Sequence, residues 1–170
     1  MDTAKLDEIE TRVSNAIRGA VDLARDTDPD NRPLWTRALN VAVMNVGDEM
    51  GYVVRVRPST TAVTSGWLWD MTWLEFQGDA LIDIPLAMES EWDTTPSEIQ
   101  YDFQKLLVCK ARLRVMICET SSAISEQIFD RLIREIQGFR ATQPNDRYLL
   151  ACYCYGCSPG RLDFRRYIAA

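Results

Sequence analysis

Apolar residues recur along the chain with two different periods, and these periods predict where helices and strands lie. Four segments carry apolar residues three or four positions apart, as on one face of a helix: about 5–25, 34–50, 96–110 and 121–139. Shorter runs rich in β-branched and aromatic residues predict strands. These runs are 52–57, the two arms of 66–92, 113–118 and 148–155, and 162–168 can add an edge strand.

The predicted order of elements is α-α-β-β-β-α-β-α-β. A three-strand meander followed by a crossover helix indicates an α/β fold with a mixed sheet and helices on both faces. The Pro- and Asp-rich segment 26–33 reads as a loop. We therefore predict an N-terminal helix and linker over 1–32 and a single α/β domain over 33–170. The first helix either packs on that domain or mediates dimerisation.

Residues 66–92 are predicted to form a β-hairpin that turns at Gln77-Gly78-Asp79. Side chains alternate between the two faces of a strand. The second arm therefore presents one apolar face, predicted to lie in the core, made of Ile82, Ile84, Leu86 and Met88. Its other face carries Glu89 and Glu91 side by side, next to an apolar layer.

Asp70 is the one charged residue in the otherwise apolar stretch 67–73 of the first arm. A carboxylate there is costly to bury, so it is expected to have a partner or a cation. A hairpin register that sets Asp70 opposite Ala87 places it on the same face as Glu89, about 7–8 Å away. Two acids at that separation can share one divalent ion. The register that pairs Asp70 with Leu86 places the two acids on opposite faces.

Composition and charge narrow the classes of function. The 170 residues, 46% hydrophobic, are enough for one globular core. The net charge of −6 argues against a nonspecific nucleic-acid coat, but a nuclease metal site needs carboxylates. The absence of His removes Ser-His and Cys-His catalysis. The acidic N-terminus without an apolar signal region, and the lack of an apolar stretch of about 20 residues, predict a cytoplasmic protein with no membrane span.

Two further residue types have alternative readings. Five Cys, an odd number without a secretion signal, favour reduced thiols. Cys152, Cys154 and Cys157 have a spacing that could belong to a metal cluster, but a tetrahedral site needs a fourth ligand, so core or strand Cys is favoured. The Trp stripe on the first hairpin arm is either core or a dimer surface: Trp67, Trp69 and Trp73.

Asp70 on one strand of a hairpin, followed by Glu89-Ser90-Glu91 on the next strand and then by a helix and a strand, resembles the PD-(D/E)XK nuclease superfamily over about residues 33–156. That pattern is an Asp and then Glu-x-Lys, so Glu91 stands where Lys is usual, as in a minority of restriction enzymes. The resemblance implies a restriction-endonuclease-like fold and hydrolysis of DNA phosphodiesters with Mg²⁺ or Mn²⁺.

The resemblance also implies roles for individual residues. Asp70 and Glu89 would bind the metal together with the main-chain carbonyl of Ser90. Glu91 would orient or deprotonate water, or hold a second ion. Lys105, on the helix after the motif strand, would replace the missing Lys. On a helical wheel it lies about 140° from the centre of the apolar stripe, so it can reach a site only at the helix edge.

A carboxylate near the end of the second helix, here Glu49, often assists the metal site in the resembled superfamily. No target-recognition domain is evident, so sequence-specific cutting of both strands of DNA would need a homodimer or a partner subunit. The alternative is a non-catalytic binding or adaptor protein that retains the nuclease-like fold without the motif Lys. A third option is a protein-interaction module that works through the Trp face.

Overall fold

The computed structural model describes residues 2–57 and 68–170, so Gly66 and Trp67 of the expected hairpin lie outside the described residues. The helices in these ranges are α1 (Thr3–Thr27), α2 (Arg32–Glu49), α3 (Pro96–Leu107) and α4 (Ser125–Gly138). The strands are β1 (Val53–Val56), β2 (Met71–Gln77), β3 (Ala80–Glu91), β4 (Leu113–Thr120), β5 (Arg147–Cys154) and β6 (Arg161–Ile168).

The strands hydrogen-bond in the order β1-β2-β3-β4-β5-β6. The β1–β2 and β5–β6 pairs are antiparallel, whereas β4 and β5 run parallel with Leu113 opposite Arg147. The sheet is therefore mixed, and the predicted α/β class is confirmed. The chain divides into two compact units, Met1–Leu86 and Ala87–Ala170.

In the first unit, α1 packs along α2 through a face on which Ile9, Val13 and Ile17 have no exposed surface. This face of α1 is therefore buried within the first unit. A Cβ on Gly47 of α2 would lie 2.7 Å from Val54 and 2.8 Å from the ring of Trp73. Glycine is therefore what allows the helix to approach the strands this closely.

In the second unit, β4 and β5 are buried at every position. Strands that are covered on both faces are typically continuous apolar runs, as these largely are. The covering helices bury Phe103 of α3 and Phe129 of α4 completely. The Ser125 hydroxyl donates a 2.6 Å hydrogen bond to Asp163 and thereby ties the start of α4 to β6.

The predicted core position Ile82 is wrong, and the fourth helix begins later than the predicted residue 121. Ile82 is 53% exposed, because it lies in the part of β3 next to the hairpin turn, where Phe76 and Leu81 are exposed too. Ile124 is exposed because α4 begins at Ser125, so helical periodicity does not apply to it. None of the helices described combines the length and the apolar character needed to cross a membrane.

Candidate functional site

The site is built around Glu89 in the second half of β3. The residue has no exposed surface, and neither have Ala87 and Met88 before it. Both faces of this part of the strand are therefore covered, and Glu89 does not belong to a solvated acidic rim. A carboxylate removed from water in this way is strongly destabilising unless a charged or hydrogen-bonding partner compensates it.

Lys105 of α3 supplies such a partner. Its Nζ lies 2.8 Å from Oε2 of Glu89 and also 2.8 Å from Oδ1 of Asp102. The Lys105 side chain is 27% exposed, against 1% for Glu89. The ammonium therefore lies between the buried carboxylate and solvent. This position is at the edge of the helix, where the helical wheel places Lys105.

The start of α3 fixes the direction of that helix. Thr95 is the N-cap and Pro96 follows it at the first helical position, where its missing N–H is tolerated. The Asp93 carboxylate accepts a 2.8 Å hydrogen bond from the N–H of Thr95. The helix then buries Ile99 and Phe103. This register leaves Asp102 and Lys105 beside the buried stripe.

Asp102 is the site residue that the sequence reasoning missed. It stands one turn before Lys105, at the spacing i, i+3 at which opposite charges attract on a helix surface. That spacing was the available signal. It did not reveal that the same Lys also binds a residue on β3.

The charge of Lys105 is secured by its two partners. Burial by itself would lower the pKa of Lys105, but the hydrogen bonds to Asp102 and Glu89 and the charges of these carboxylates raise it overall. The ammonium therefore stays protonated at neutral pH. It can stabilise negative charge, but it cannot act as a general base there.

Glu91, two residues further along β3, is partly buried. Burial is the largest influence on the pKa of Glu91 and raises it, and a hydrogen bond with Asp102 raises it further. The N–H of Asp93 donates a 2.7 Å hydrogen bond to Glu91 and lowers the pKa in part. A raised pKa makes the Glu91 carboxylate a better proton acceptor than an ordinary glutamate. Ser90, half-buried, lies between the two Glu residues on the strand.

Two of the candidates from the sequence belong to the first unit. Asp70 is half-buried and directly precedes β2, and its carbonyl accepts a 2.7 Å hydrogen bond from the N–H of Arg57. Glu49, the last residue of α2, is exposed and forms an ion pair with Arg12 of α1. Glu49 thus has a structural partner that links the two helices.

The donor chemistry at Glu89 fits a small hard cation, which prefers carboxylate and carbonyl oxygens. Among residues 2–57 and 68–170, no group of three or more His, Cys, Asp or Glu side chains is arranged to hold a metal ion. The set implied by the resemblance is smaller, two carboxylates and one carbonyl, and Mg²⁺ keeps several waters. A cation at Glu89 would share the carboxylate with Lys105.

The prediction of reduced thiols is wrong for one pair. Cys154 and Cys157 form a disulfide with a Cα–Cα distance of 5.5 Å, which is within the usual range. The turn after β5 brings them together, and spacing alone could not show this. A disulfide also removes two of the three thiolates of the metal-cluster alternative. The remaining thiols are free and buried: Cys109, Cys118 and Cys152.

The Trp stripe is core in the part that the structure describes. Trp73 has no exposed surface and stacks on Tyr52 with ring centroids 5.6 Å apart, and Trp69 is 7% exposed. Trp67 lies outside the described residues. The described part of the stripe is therefore not available as a dimer surface.

Comparison with known proteins adds no assignment. No protein-family model, no curated protein and no solved structure gives a significant match to the chain. What the molecule does must therefore be argued from its own residues.

Proposed function

We propose that the chain is a restriction-endonuclease-like domain that hydrolyses phosphodiester bonds of DNA with Mg²⁺ or Mn²⁺. The observation that carries the proposal is the contact of 2.8 Å between Lys105 Nζ and the fully buried carboxylate of Glu89. The nuclease motif usually has a Lys two residues after its Glu, and Glu91 stands at that position here. Lys105 on α3 supplies that ammonium from the next element.

The order of elements also supports the proposal. β1, β2 and β3 are followed by α3 and β4, and then by α4 and β5, as the resemblance implies. Only β6 is added after this series. Glu89 and Glu91 lie on β3 and Lys105 lies on α3, the strand and the helix on which these candidates were expected.

Each side chain has a role that follows from its surroundings. Lys105, charged and partly exposed, contacts the phosphate oxygens and stabilises the charge that develops during cleavage. Asp102 positions Lys105 from one turn away. Glu91, with its raised pKa, takes a proton from the attacking water. A bound Mg²⁺ would supply Lewis-acid polarisation of the phosphate.

The metal ligands that the proposal takes from the second unit are Glu89 and the main-chain carbonyl of Ser90. Glu89 and Ser90 follow one another on β3, where the strand is covered, so Glu89 can present an oxygen in a site of low dielectric constant. The resemblance also assigns Asp70, which belongs to the first unit, and the Asp70→Asn variant tests that assignment. Glu49, the accessory carboxylate that the resemblance implies, forms an ion pair with Arg12.

The distribution of charge is compatible with a DNA substrate. Residues 87–170 contain 11 Lys and Arg and 11 Asp and Glu, so their net charge is zero. The whole excess of −6 falls on residues 1–86, with 8 basic and 14 acidic residues. The unit that carries Glu89 and Lys105 therefore does not repel a polyanion by its net charge.

A plasmid assay tests the proposal. Supercoiled DNA is incubated with the native chain with and without Mg²⁺, and with the variants Glu89→Gln and Asp70→Asn. Glu98→Gln is the matched control, because Glu98 is an exposed acid in the first turn of the same helix α3. We expect nicked or linear DNA only with Mg²⁺, a loss of cleavage in the two site variants, and full cleavage by the control.

The second candidate is a non-catalytic binding or adaptor protein. It is favoured by the ion-pair network, in which Lys105 already contacts both Glu89 and Asp102 at 2.8 Å. Fluorescence anisotropy with a labelled duplex separates the two functions. Saturable binding with intact DNA after prolonged incubation in Mg²⁺ supports the adaptor, and cleavage products support the nuclease. Sedimentation in the same buffer tests the homodimer that cutting of both strands would need.

A further inference from the structure

The disulfide at the end of β5 joins two cysteines in unlike surroundings. Cys154 is the last residue of β5 and has no exposed surface. It stands opposite Thr120 of the parallel strand β4 and opposite Arg161 of the antiparallel strand β6. Cys157 lies three residues later in the turn and is half-buried. Of the two cysteines, Cys157 is therefore the one with exposed surface.

The turn that carries this disulfide is packed against the end of β4. The N–H of Tyr155 donates a 3.0 Å hydrogen bond to the carbonyl of Thr120. A Cβ on Gly156 would lie 1.7 Å from the carbonyl oxygen of Ser121, so only glycine fits at this approach. The turn therefore lies against the end of β4 through backbone contacts, and the disulfide joins the two ends of the same turn.

We propose that Cys154–Cys157 is a thiol–disulfide exchange site at which a small thiol of the glutathione class attacks Sγ of Cys157. The thiolate of the small thiol forms a new S–S bond to Cys157 as the Cys154–Cys157 bond breaks, and Cys154 leaves as a thiolate that takes up a proton. A second molecule of the small thiol then attacks the glutathione sulfur. It releases oxidised glutathione and leaves Cys157 reduced.

The buried position of the leaving sulfur determines what kind of exchange site this is. A Cys154 thiolate would form where it has no contact with solvent, which makes it a poor leaving group and slows exchange. Rapid turnover, as in a dithiol oxidoreductase, is therefore disfavoured. A slow, reversible modification of Cys157 fits the surroundings better, and it would release the turn from Thr120 and Ser121.

The other three cysteines do not compete for the small thiol. Cys118 and Cys152 face each other across β4 and β5, and the pKa of Cys118 is raised well above its ordinary value by its hydrogen bond with Cys152 and by burial. Burial raises the pKa of Cys109. Buried thiols that hold their protons are poor nucleophiles. The exchange is also independent of the proposed nuclease, because no residue of that site takes part.

Mass spectrometry tests the proposal on the full chain. The protein, purified without reductant, is incubated with reduced and oxidised glutathione, alkylated and mapped by peptide. We expect one glutathione, on Cys157, and none on Cys109, Cys118 or Cys152. Adduct formation should be accompanied by faster hydrogen exchange at the amide of Tyr155, which the turn now protects.

The variants Cys154→Ala and Cys157→Ala form a matched pair, since each removes the same disulfide. Cys154→Ala should accumulate the adduct, because its resolving thiol is gone, whereas Cys157→Ala should gain none. If either variant folds poorly, the peptide mapping of the native chain still decides whether Cys157 carries the glutathione. The proposal is overturned if glutathione appears first on Cys154, if it appears only after unfolding in urea, or if the purified chain carries five free thiols.

Discussion

Replacing Lys105 by Met tests whether the ammonium compensates the buried charge of Glu89. Met keeps most of the volume and the flexibility of the side chain but removes the cation, so the carboxylate at 2.8 Å loses its partner. Removing one partner of a buried ion pair costs roughly 3–5 kcal/mol. In the variant, Glu89 can become protonated instead of staying charged. The loss of stability therefore cannot exceed the free energy of protonating Glu89, which depends on pH.

This upper limit on the loss of stability follows from the pKa of about 4.3 that a glutamate has in an unfolded chain. Taking up a proton costs about 1.4 kcal/mol for each pH unit above that value, which is about 3.7 kcal/mol at pH 7 and about 1 kcal/mol at pH 5. The destabilisation of Lys105→Met relative to the native chain should therefore shrink by about 2–3 kcal/mol between pH 7 and pH 5.

Urea unfolding at the two pH values measures this difference. Lys110→Met is the matched control, since Lys110 is exposed, and it should change the free energy of unfolding by less than about 0.5 kcal/mol at either pH. The double variant Glu89→Gln/Lys105→Met should be more stable at pH 7 than Lys105→Met alone. An equal loss at both pH values, or no loss at all, would refute the reasoning.

Three further predictions concern other parts of the molecule. Glu91→Gln should stabilise the protein at pH 7, because folding raises the pKa of Glu91 and the ionised carboxyl therefore destabilises the folded state. The gain in stability should be below about 1 kcal/mol for a partly exposed group, and thermal melts should show that it vanishes below about pH 4. Gly47→Ala should destabilise by about 1–3 kcal/mol in urea, since its Cβ meets Val54 and Trp73 within 3 Å, whereas Gly19→Ala, with nothing within 4 Å, should stabilise by about 0.5–1 kcal/mol. Mg²⁺ at about ten times its Kd should raise the free energy of unfolding by about 1.4 kcal/mol in the native chain and not in Glu89→Gln, compared with NaCl at equal ionic strength.

The periodic elements could be predicted from the sequence because their signals are local. The strand at 148–155 was predicted within one residue of β5 at each end, and the edge strand at 162–168 within one residue of β6. Their apolar runs and turn residues lie within the segments themselves. The start of α4 was less well predicted, since Ile124 continues the helical period of apolar residues without belonging to the helix.

The candidate site was predictable in its residue types but not in its surroundings. Alternation placed Glu89 on the polar face of a strand, whereas the strand is covered on both faces there. The solvent exposure of such a position depends on elements that are distant in the sequence, so a local pattern cannot predict it. The helical wheel restricted Lys105 to the helix edge, but its contact with a residue sixteen positions earlier is tertiary.

The most direct measurement is single-turnover cleavage of an end-labelled DNA duplex by the native chain and by Glu89→Gln, with Mg²⁺ and enzyme in excess. If the buried carboxylate beside Lys105 is the centre of phosphodiester hydrolysis, the native chain cleaves only with Mg²⁺. Glu89→Gln should then be slower by about 100-fold or more, while Glu98→Gln keeps the native rate. Intact DNA with the native chain under every condition, or equal rates for the native chain and Glu89→Gln, would contradict the account.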